Sequence, residues 1–353
     1  MNSDKETIDE TSSFIEKDNS NKDNVKLFNC LPLLFFITFI MMYYCIGIVL
    51  YFIPNTFPYY VIYTKEYFPI ILDKNANHSM VVFFIYSFCY LNLIISLILT
   101  YMTNPGEIPN EPFWNIKTDK RKHSQEYIES IALIIAKREN ILEENNNCIT
   151  INNDTVFQIC ERNKYNEIRY CYICMMFKPD RAHHCQICNK CVLKIDHHCS
   201  LIGCCIGYFN YKFYLNLILY ITLSSFLYIV IFYDMTKDIT TTNIINSKMI
   251  NIPEICFLLL YMITIIIFVF SFVFYCYHFY LVCHNYTSYE YLRKDNKNDN
   301  KYDLGNFYSN MQEVFGNNFL LWFIPLPFTF RNDNWHNGIN FKIKEEYHQS
   351  SNI

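Results

Sequence analysis

The chain has 353 residues, a net charge of -4, 52% hydrophobic residues and only 18% charged ones. Its mean hydropathy is nonetheless only +0.06, so apolar blocks alternate with strongly polar ones, which argues against a single soluble domain and leans towards a membrane protein. With 7 Gly in all, Gly-rich phosphate loops are excluded as organising features, and without a basic excess no nucleic-acid partner is expected.

The first 26 residues are polar and contain no short apolar core followed by a small-residue cleavage site, so no cleaved signal peptide is expected. Four apolar stretches then reach the length of about 20 residues that a bilayer crossing takes. They are Leu31 to Ile53, Met80 to Met102, Tyr211 to Tyr233 and Ile255 to Cys283. Lys and Arg are distributed unevenly around them: alternate loops hold 24 against 4. By the positive-inside rule both termini and the long loop between spans two and three face the cytosol. The Asn77-His78-Ser79 sequon then falls in a luminal loop, in keeping with that orientation.

The loop between spans two and three has two parts. Its first part is polar and Asn-rich, with one segment, Tyr127 to Leu142, whose apolar residues recur at near-helical spacing. In its second part, eight of the 16 cysteines lie between Cys171 and Cys205. In a reducing compartment such a cluster reads as metal binding or thiol chemistry, not as disulfides. Cys171, Cys174, His183, His184, Cys185, Cys188, Cys191, His197, His198, Cys199, Cys204 and Cys205 are twelve potential ligands in 35 residues. The Cys-x-x-Cys pairs at 171/174 and 185/188 have zinc-knuckle spacing. Two tetrahedral ions would consume eight ligands, and a purely structural module has no use for the rest. Asp196-His197-His198-Cys199 supplies a carboxylate, imidazoles and a thiol in four residues, a grouping suited to acyl transfer through a thioester. The competing reading makes these residues ligands, or supports of ligands, in a structural site.

Cys171-x2-Cys174-x9-His184-Cys185-x2-Cys188-x2-Cys191-x4-Asp196-His197-His198-Cys199-x5-Cys205-x4-Asn210 resembles the cysteine-rich domain of the DHHC protein S-acyltransferases, or palmitoyltransferases, with every gap length matching. Asn104-Pro105-Gly106 resembles that family's Asp-Pro-Gly motif, and Thr287-Ser288-Tyr289-Glu290 its Thr-Thr-x-Glu. Tyr302 to Gly316, with Asn310, resembles its C-terminal motif, in which the Asn helps lock the tail to the helix bundle.

The fold class implied is an α-helical integral membrane protein of four transmembrane helices, with a cytosolic Cys-rich domain holding two zinc ions between helices 2 and 3. The boundaries are a disordered cytosolic tail (1–26), helices 1 and 2 with a luminal loop (27–102), a cytosolic linker (103–164), the zinc domain (165–214), helices 3 and 4 (211–283) and a cytosolic C-terminal segment (284–353). The resemblance makes Cys199 the nucleophile, His197 its base and Asp196 the residue that orients His197. It assigns one structural Zn2+ to Cys171, Cys174, His184 and Cys191, and the other to Cys185, Cys188, His198 and Cys205. Palmitoyl-CoA or another long-chain acyl-CoA is the implied co-substrate. The implied partners are the lipid bilayer and proteins with membrane-proximal cysteines. Golgi or endoplasmic reticulum is the implied location, with the plasma membrane as the alternative.

Lys190, Lys194 and Lys212, with Lys178 and Arg181, are candidates to meet CoA phosphates or anionic head groups, or else form a solvated basic face. Ser224 and Ser225 in the third span are candidates for the floor of an acyl-chain cavity or for small-residue helix packing. Between nucleophile and last ligand the family usually reads Pro, aromatic, apolar, Asn, Asn, whereas this chain has Ser200-Leu201-Ile202-Gly203-Cys204. That departure leaves open a rival reading, a membrane-anchored zinc scaffold of weak or no activity.

Overall fold

The computed structural model describes residues 38, 40, 41, 43–48, 76–109, 114, 148–152, 155–158, 161, 169–171, 173–246, 251–293, 300–326 and 338–344. Three helices among them are long and apolar enough to cross a bilayer: α1 (Ala76–Met102), α2 (Tyr211–Asn246) and α3 (Ile252–Cys283). The first expected span falls largely outside the described residues, as do the N-terminal tail and the 127–142 segment. What is described of that span, Thr38, Ile40, Met41 and 43–48, is helical. Tyr43 ties it to the bundle by stacking on Tyr228 with ring centroids 4.4 Å apart and donating its hydroxyl to Thr264 Oγ1 at 3.2 Å.

Each observed helix outruns its apolar stretch. α1 starts at Ala76 and takes the Asn77-His78-Ser79 sequon into its first turn, where a loop was expected. α2 continues 13 residues past Tyr233 to Asn246. There Thr236, Thr240 and Thr241 return their hydroxyls to the carbonyls of Phe232, Thr236 and Lys237, which keeps polar side chains satisfied within the helix. α3 begins at Ile252, with Pro253 in its first turn and Glu254 reaching back to accept the Asn251 N–H at 3.1 Å. α2 is the central helix, packed on α1 and on α3. Leu259, Ile266, Phe270 and Val273 of α3 point out of the bundle, the arrangement lipid contact requires.

Four short antiparallel hairpins occupy the loop between α1 and α2. They are β1–β2 (Cys148–Asn152, Thr155–Gln158), β3–β4 (Tyr170–Cys171, Met176–Phe177), β5–β6 (His183–Cys185, Lys190–Val192) and β7–β8 (His197–Cys199, Cys204–Ile206). Beyond α3 come α4 (Ser288–Leu292), α5 (Phe307–Phe315) and a 3-10 turn (Phe319–Leu321). The apolar run from Phe319 packs on the bundle: Trp322 is buried beside Phe315, and Tyr220 of α2 donates to the Phe323 carbonyl at 2.7 Å.

Three motifs seat the hairpins on the helices. Asn104 Oδ1 accepts the Gly106 N–H at 3.0 Å, an Asx turn that ends α1 and delivers the Pro105 and Gly106 carbonyls to the Phe209 and Leu193 N–H groups. Gly207 is obligatory opposite this turn, because a Cβ there would lie 2.6 Å from the Pro105 oxygen. Asn210 donates to the Thr100 and Cys205 carbonyls and accepts from the Gly207 N–H, joining the end of α1 to the start of α2. At the other end Asn310 donates to the Cys283 carbonyl and to Asp303, both at 2.7 Å, and accepts from the Leu304 N–H. The tail is thereby locked to the end of α3.

Candidate active site and metal-binding clusters

The hairpins bring the cysteines and histidines together in two groups, Cys171, Cys174, His184 and Cys191, and Cys185, Cys188, His198 and Cys205. In each, the ligand atoms all lie within 4.8 Å of one another. These are the two interleaved sets that the resemblance implies. His184 Nδ1 lies 3.6, 3.2 and 4.0 Å from the sulfurs of Cys171, Cys174 and Cys191. His198 Nδ1 lies 3.7, 3.3 and 3.6 Å from those of Cys185, Cys188 and Cys205. A tetrahedral ion with bonds of about 2.3 Å to sulfur and about 2.0 Å to nitrogen needs N···S edges of roughly 3.5 Å, so both groups fit one. The knuckles are built alike. Cys174 N–H points at Cys171 Sγ at 3.5 Å and Cys188 N–H at Cys185 Sγ at 3.4 Å, and the following residues, Met175 and Asn189, both turn through positive φ.

Cys199 belongs to neither group. It ends β7, half-buried, where its side chain packs against the core of the helix bundle. His197 donates Nδ1–H to Asp196 Oδ2 at 2.8 Å, and Cys199 lies close to its ring. Burial opposes charge on His197, but the bonds to Asp196 and Cys199 prevail and lift its pKa to about 9. Burial likewise pushes the Cys199 thiol up, yet His197 and the Ile202 and Leu201 N–H groups outweigh it and hold the thiol below its ordinary value. Asp196 is 2% exposed. Burial would raise its pKa, but the bonds from His197 and the Ser288 N–H and the nearness of His278 keep it below the usual carboxylate range. The result is a thiol of lowered pKa beside an imidazolium, oriented by a buried carboxylate.

The Ser200 to Gly203 departure is the turn of the β7–β8 hairpin, in which Cys199 pairs with Cys204. Gly203 adopts φ +81, and the Asn usual in the family is the residue after Gly that most readily takes such a backbone. Cys204 lies outside both ligand groups. Burial, with Cys199 close by, pushes its thiol up to about 12, so it stays protonated. His183 is likewise outside them. Its ring packs on Tyr289 at 4.1 Å, and burial with Arg169 nearby lowers it to about 3, so it is neutral.

The basic candidates divide. Lys190 is partly exposed and pairs with Glu107 at 2.7 Å. Lys194 and Lys212 are buried, and Lys194 Nζ donates to Asn285 Oδ1 at 3.2 Å, so neither presents a charge to solvent for a phosphate to meet. Arg181 is fully buried, which corrects its reading as part of a basic face. Its guanidinium bonds both Glu290 oxygens, the Asn285 side chain and the Asn285 carbonyl, and lies over the Tyr302 ring.

Sequence reasoning passed over Asn285. It ends α3 at φ 48, the left-handed position that Asn tolerates, and so can gather Arg181, Lys194 and the Tyr302 carbonyl at one point. His278 was also missed, hidden in an apolar run. Ser224 and Ser225 line a cavity of about 50 Å³ with Tyr43, Tyr90, Leu93 and Ile221. Ser225 returns its hydroxyl to the Ile221 carbonyl.

Comparison with known proteins agrees with this geometry. Residues 164–295 match the family model described as DHHC palmitoyltransferase. A palmitoyltransferase PFA3 of Eremothecium gossypii is 32% identical over 204 residues, 51% of this chain and 61% of that protein. The palmitoyltransferase PFA3 of Candida albicans is 25% identical over 209 residues, 50% of this chain and 54% of that protein. The chain thus spans a little over half the length of these curated relatives. Residues 164–295, which hold both paired Cys/His clusters, thus match a DHHC palmitoyltransferase domain, in a chain with three bilayer-length helices among its described residues.

Proposed function

We propose that this chain is a protein S-acyltransferase that moves a long-chain acyl group from acyl-CoA to cysteine thiols of proteins through an acyl-Cys199 intermediate. The observation that carries this reading is that Cys199 lies outside both ligand groups and beside His197, which Asp196 orients at 2.8 Å. The Cys199 thiolate attacks the thioester carbonyl. The carbon–sulfur bond to CoA breaks, and the leaving CoA thiolate takes the proton held on His197. In the second half, His197 takes the proton of the substrate thiol, whose sulfur attacks the acyl-enzyme and releases Cys199. Kinetics are then ping-pong.

Zinc would be held by Cys171, Cys174, His184 and Cys191, and by Cys185, Cys188, His198 and Cys205. Its contribution is structural, folding hairpins too short to stand alone. A membrane setting suits the reaction, since each CH2 of the acyl chain kept from water is worth about 0.8 kcal/mol. The reading includes four spans with both termini in the cytosol, a Golgi or endoplasmic reticulum membrane, and substrates whose cysteines lie near the bilayer. Of the basic candidates for CoA phosphates, Lys190 is retained.

The test is incubation of the purified protein with a clickable palmitoyl-CoA, with and without neutral hydroxylamine, alongside zinc content. Hydroxylamine-sensitive label is the expected result. A protein holding two zincs per chain that takes no label is the scaffold instead.

A further inference from the structure

An ionisable side chain buried in a membrane helix is costly to keep and marks function by default. His278 is 1% exposed on α3, and its imidazole faces the catalytic carboxylate across the interface between the helices and the hairpins. Its Nδ1 lies 4.0 Å from Asp196 Oδ2 and 3.1 Å from the hydroxyl of Tyr211, the first residue of α2. Phe274 and Tyr214 pack against its ring at 4.6 and 5.5 Å, fixing its plane.

Asp196 needs such a neighbour. A carboxylate has about four acceptor positions. Among the described residues Asp196 receives the Ser288 N–H on Oδ1 and the His197 Nδ1–H on Oδ2. The flank of Oδ2 turned towards the bundle faces His278. Without it, an apolar wall would meet a charged oxygen, and the carboxylate could relieve that cost only by rotating away from His197.

We propose that His278, held by Tyr211, is a positioning residue for acyl transfer: it closes the membrane-facing side of Asp196 and fixes the rotamer through which Asp196 orients His197. Its Nδ1 is engaged by the Tyr211 hydroxyl, so His278 meets Oδ2 as a polar neighbour at 4.0 Å and not as a hydrogen-bond donor. The inference rests on the proposed roles of Asp196, His197 and Cys199.

The test is the rate of acyl-enzyme formation from palmitoyl-CoA by the full-length protein, with zinc content, for wild type, Cys199→Ala, His278→Leu, His278→Asn, Asp196→Asn and the Asp196→Asn/His278→Leu double variant. His278→Leu should slow loading about tenfold or more, the loss expected when a buried charged group has its polar neighbour replaced by an apolar one. Its zinc content and its half-saturating acyl-CoA concentration should stay unchanged. His278→Asn, whose amide nitrogen sits where Nδ1 does, should recover most of the rate. In the Asp196→Asn background His278→Leu should add nothing, because the group it acts through is already altered.

Equal slowing in both backgrounds, no rescue by Asn, or wild-type loading by His278→Leu overturns the inference. If His278→Leu fails to fold, Tyr211→Phe replaces it: slowing confined to the Asp196 background supports the role, and a wild-type rate overturns it. Full loading by His278→Leu with none by Cys199→Ala sinks this inference alone. No loading by wild type sinks the acyltransferase reading with it.

Discussion

Ser288 donates its backbone N–H to Asp196 Oδ1 at 2.7 Å across 92 residues of sequence. The residue that opens α4, just beyond the last membrane helix, thus holds the carboxylate of the candidate catalytic group. The donor is main chain, so the side chain should matter little and the N–H a great deal. Ser288 is also the first residue of a helix whose cap, Thr287, is extended at φ -93 and ψ 158, so proline fits there without breaking the helix. Ser288→Ala should load acyl groups like wild type. Ser288→Pro should lose about 1.5–3 kcal/mol of support for Asp196, roughly 10- to 100-fold in loading rate, with zinc content intact. Single-turnover loading of both variants checks this, and equal rates would contradict it.

Arg181 and Glu290 form a two-toothed ion pair at 2.7 and 2.8 Å, with side-chain exposures of 0% and 17%. Removing one partner of a buried pair strands the other, at a cost of about 3–5 kcal/mol. Glu290→Gln should lower the thermal midpoint of the detergent-solubilised protein, and Arg181→Lys should do so too, because an ammonium cannot bond both oxygens and Asn285 in one plane. A midpoint unchanged in both would contradict the account.

Gly203 gives a sharper test of the turn beside Cys199. Because φ there is +81, Gly203→Asn should fold and load near the wild-type rate, whereas Gly203→Val should strain the hairpin and lose most of the loading. A comparison of the two by acyl label decides it, and similar behaviour would remove the conformational explanation for the departure from the family pattern.

The pH dependence follows from His197. Its pKa is raised to about 9, while that of Cys199 is lowered. Below about pH 9 His197 therefore keeps its proton beside the Cys199 thiol. As pH rises through about 9, His197 loses the proton that the leaving CoA thiolate needs. Loading should fall as pH rises above about 9. A rate that climbs steadily through that range, as for an isolated thiol, would contradict the pairing.

How much of this was legible in the sequence depends on the kind of residue. The knuckles were, because Cys-x-x-Cys places two thiolates on one turn. The sharing of ligands between hairpins was not legible from spacing, since Cys185 directly follows His184 yet joins the other group. Arg181 and Lys194 misled because a basic residue is by default solvated. Their burial depends on Glu290 and Asn285, 109 and 91 residues away. His278 escaped notice because an apolar run does not disclose which of its residues faces a carboxylate on another element. Helix ends were misjudged where polar residues satisfy themselves on the helix, as the threonines of α2 do.

The central claim is that Cys199 carries the acyl group. Peptide mapping by mass spectrometry after incubation with palmitoyl-CoA, on wild type, Cys199→Ala and Cys204→Ala with zinc measured in each, tests it most directly. The account predicts one thioester-linked acyl group on Cys199 in wild type and in Cys204→Ala, none in Cys199→Ala, and about two zincs per chain in all three. Acyl groups persisting in Cys199→Ala, or a wild type that holds both zincs and stays unacylated, would contradict it.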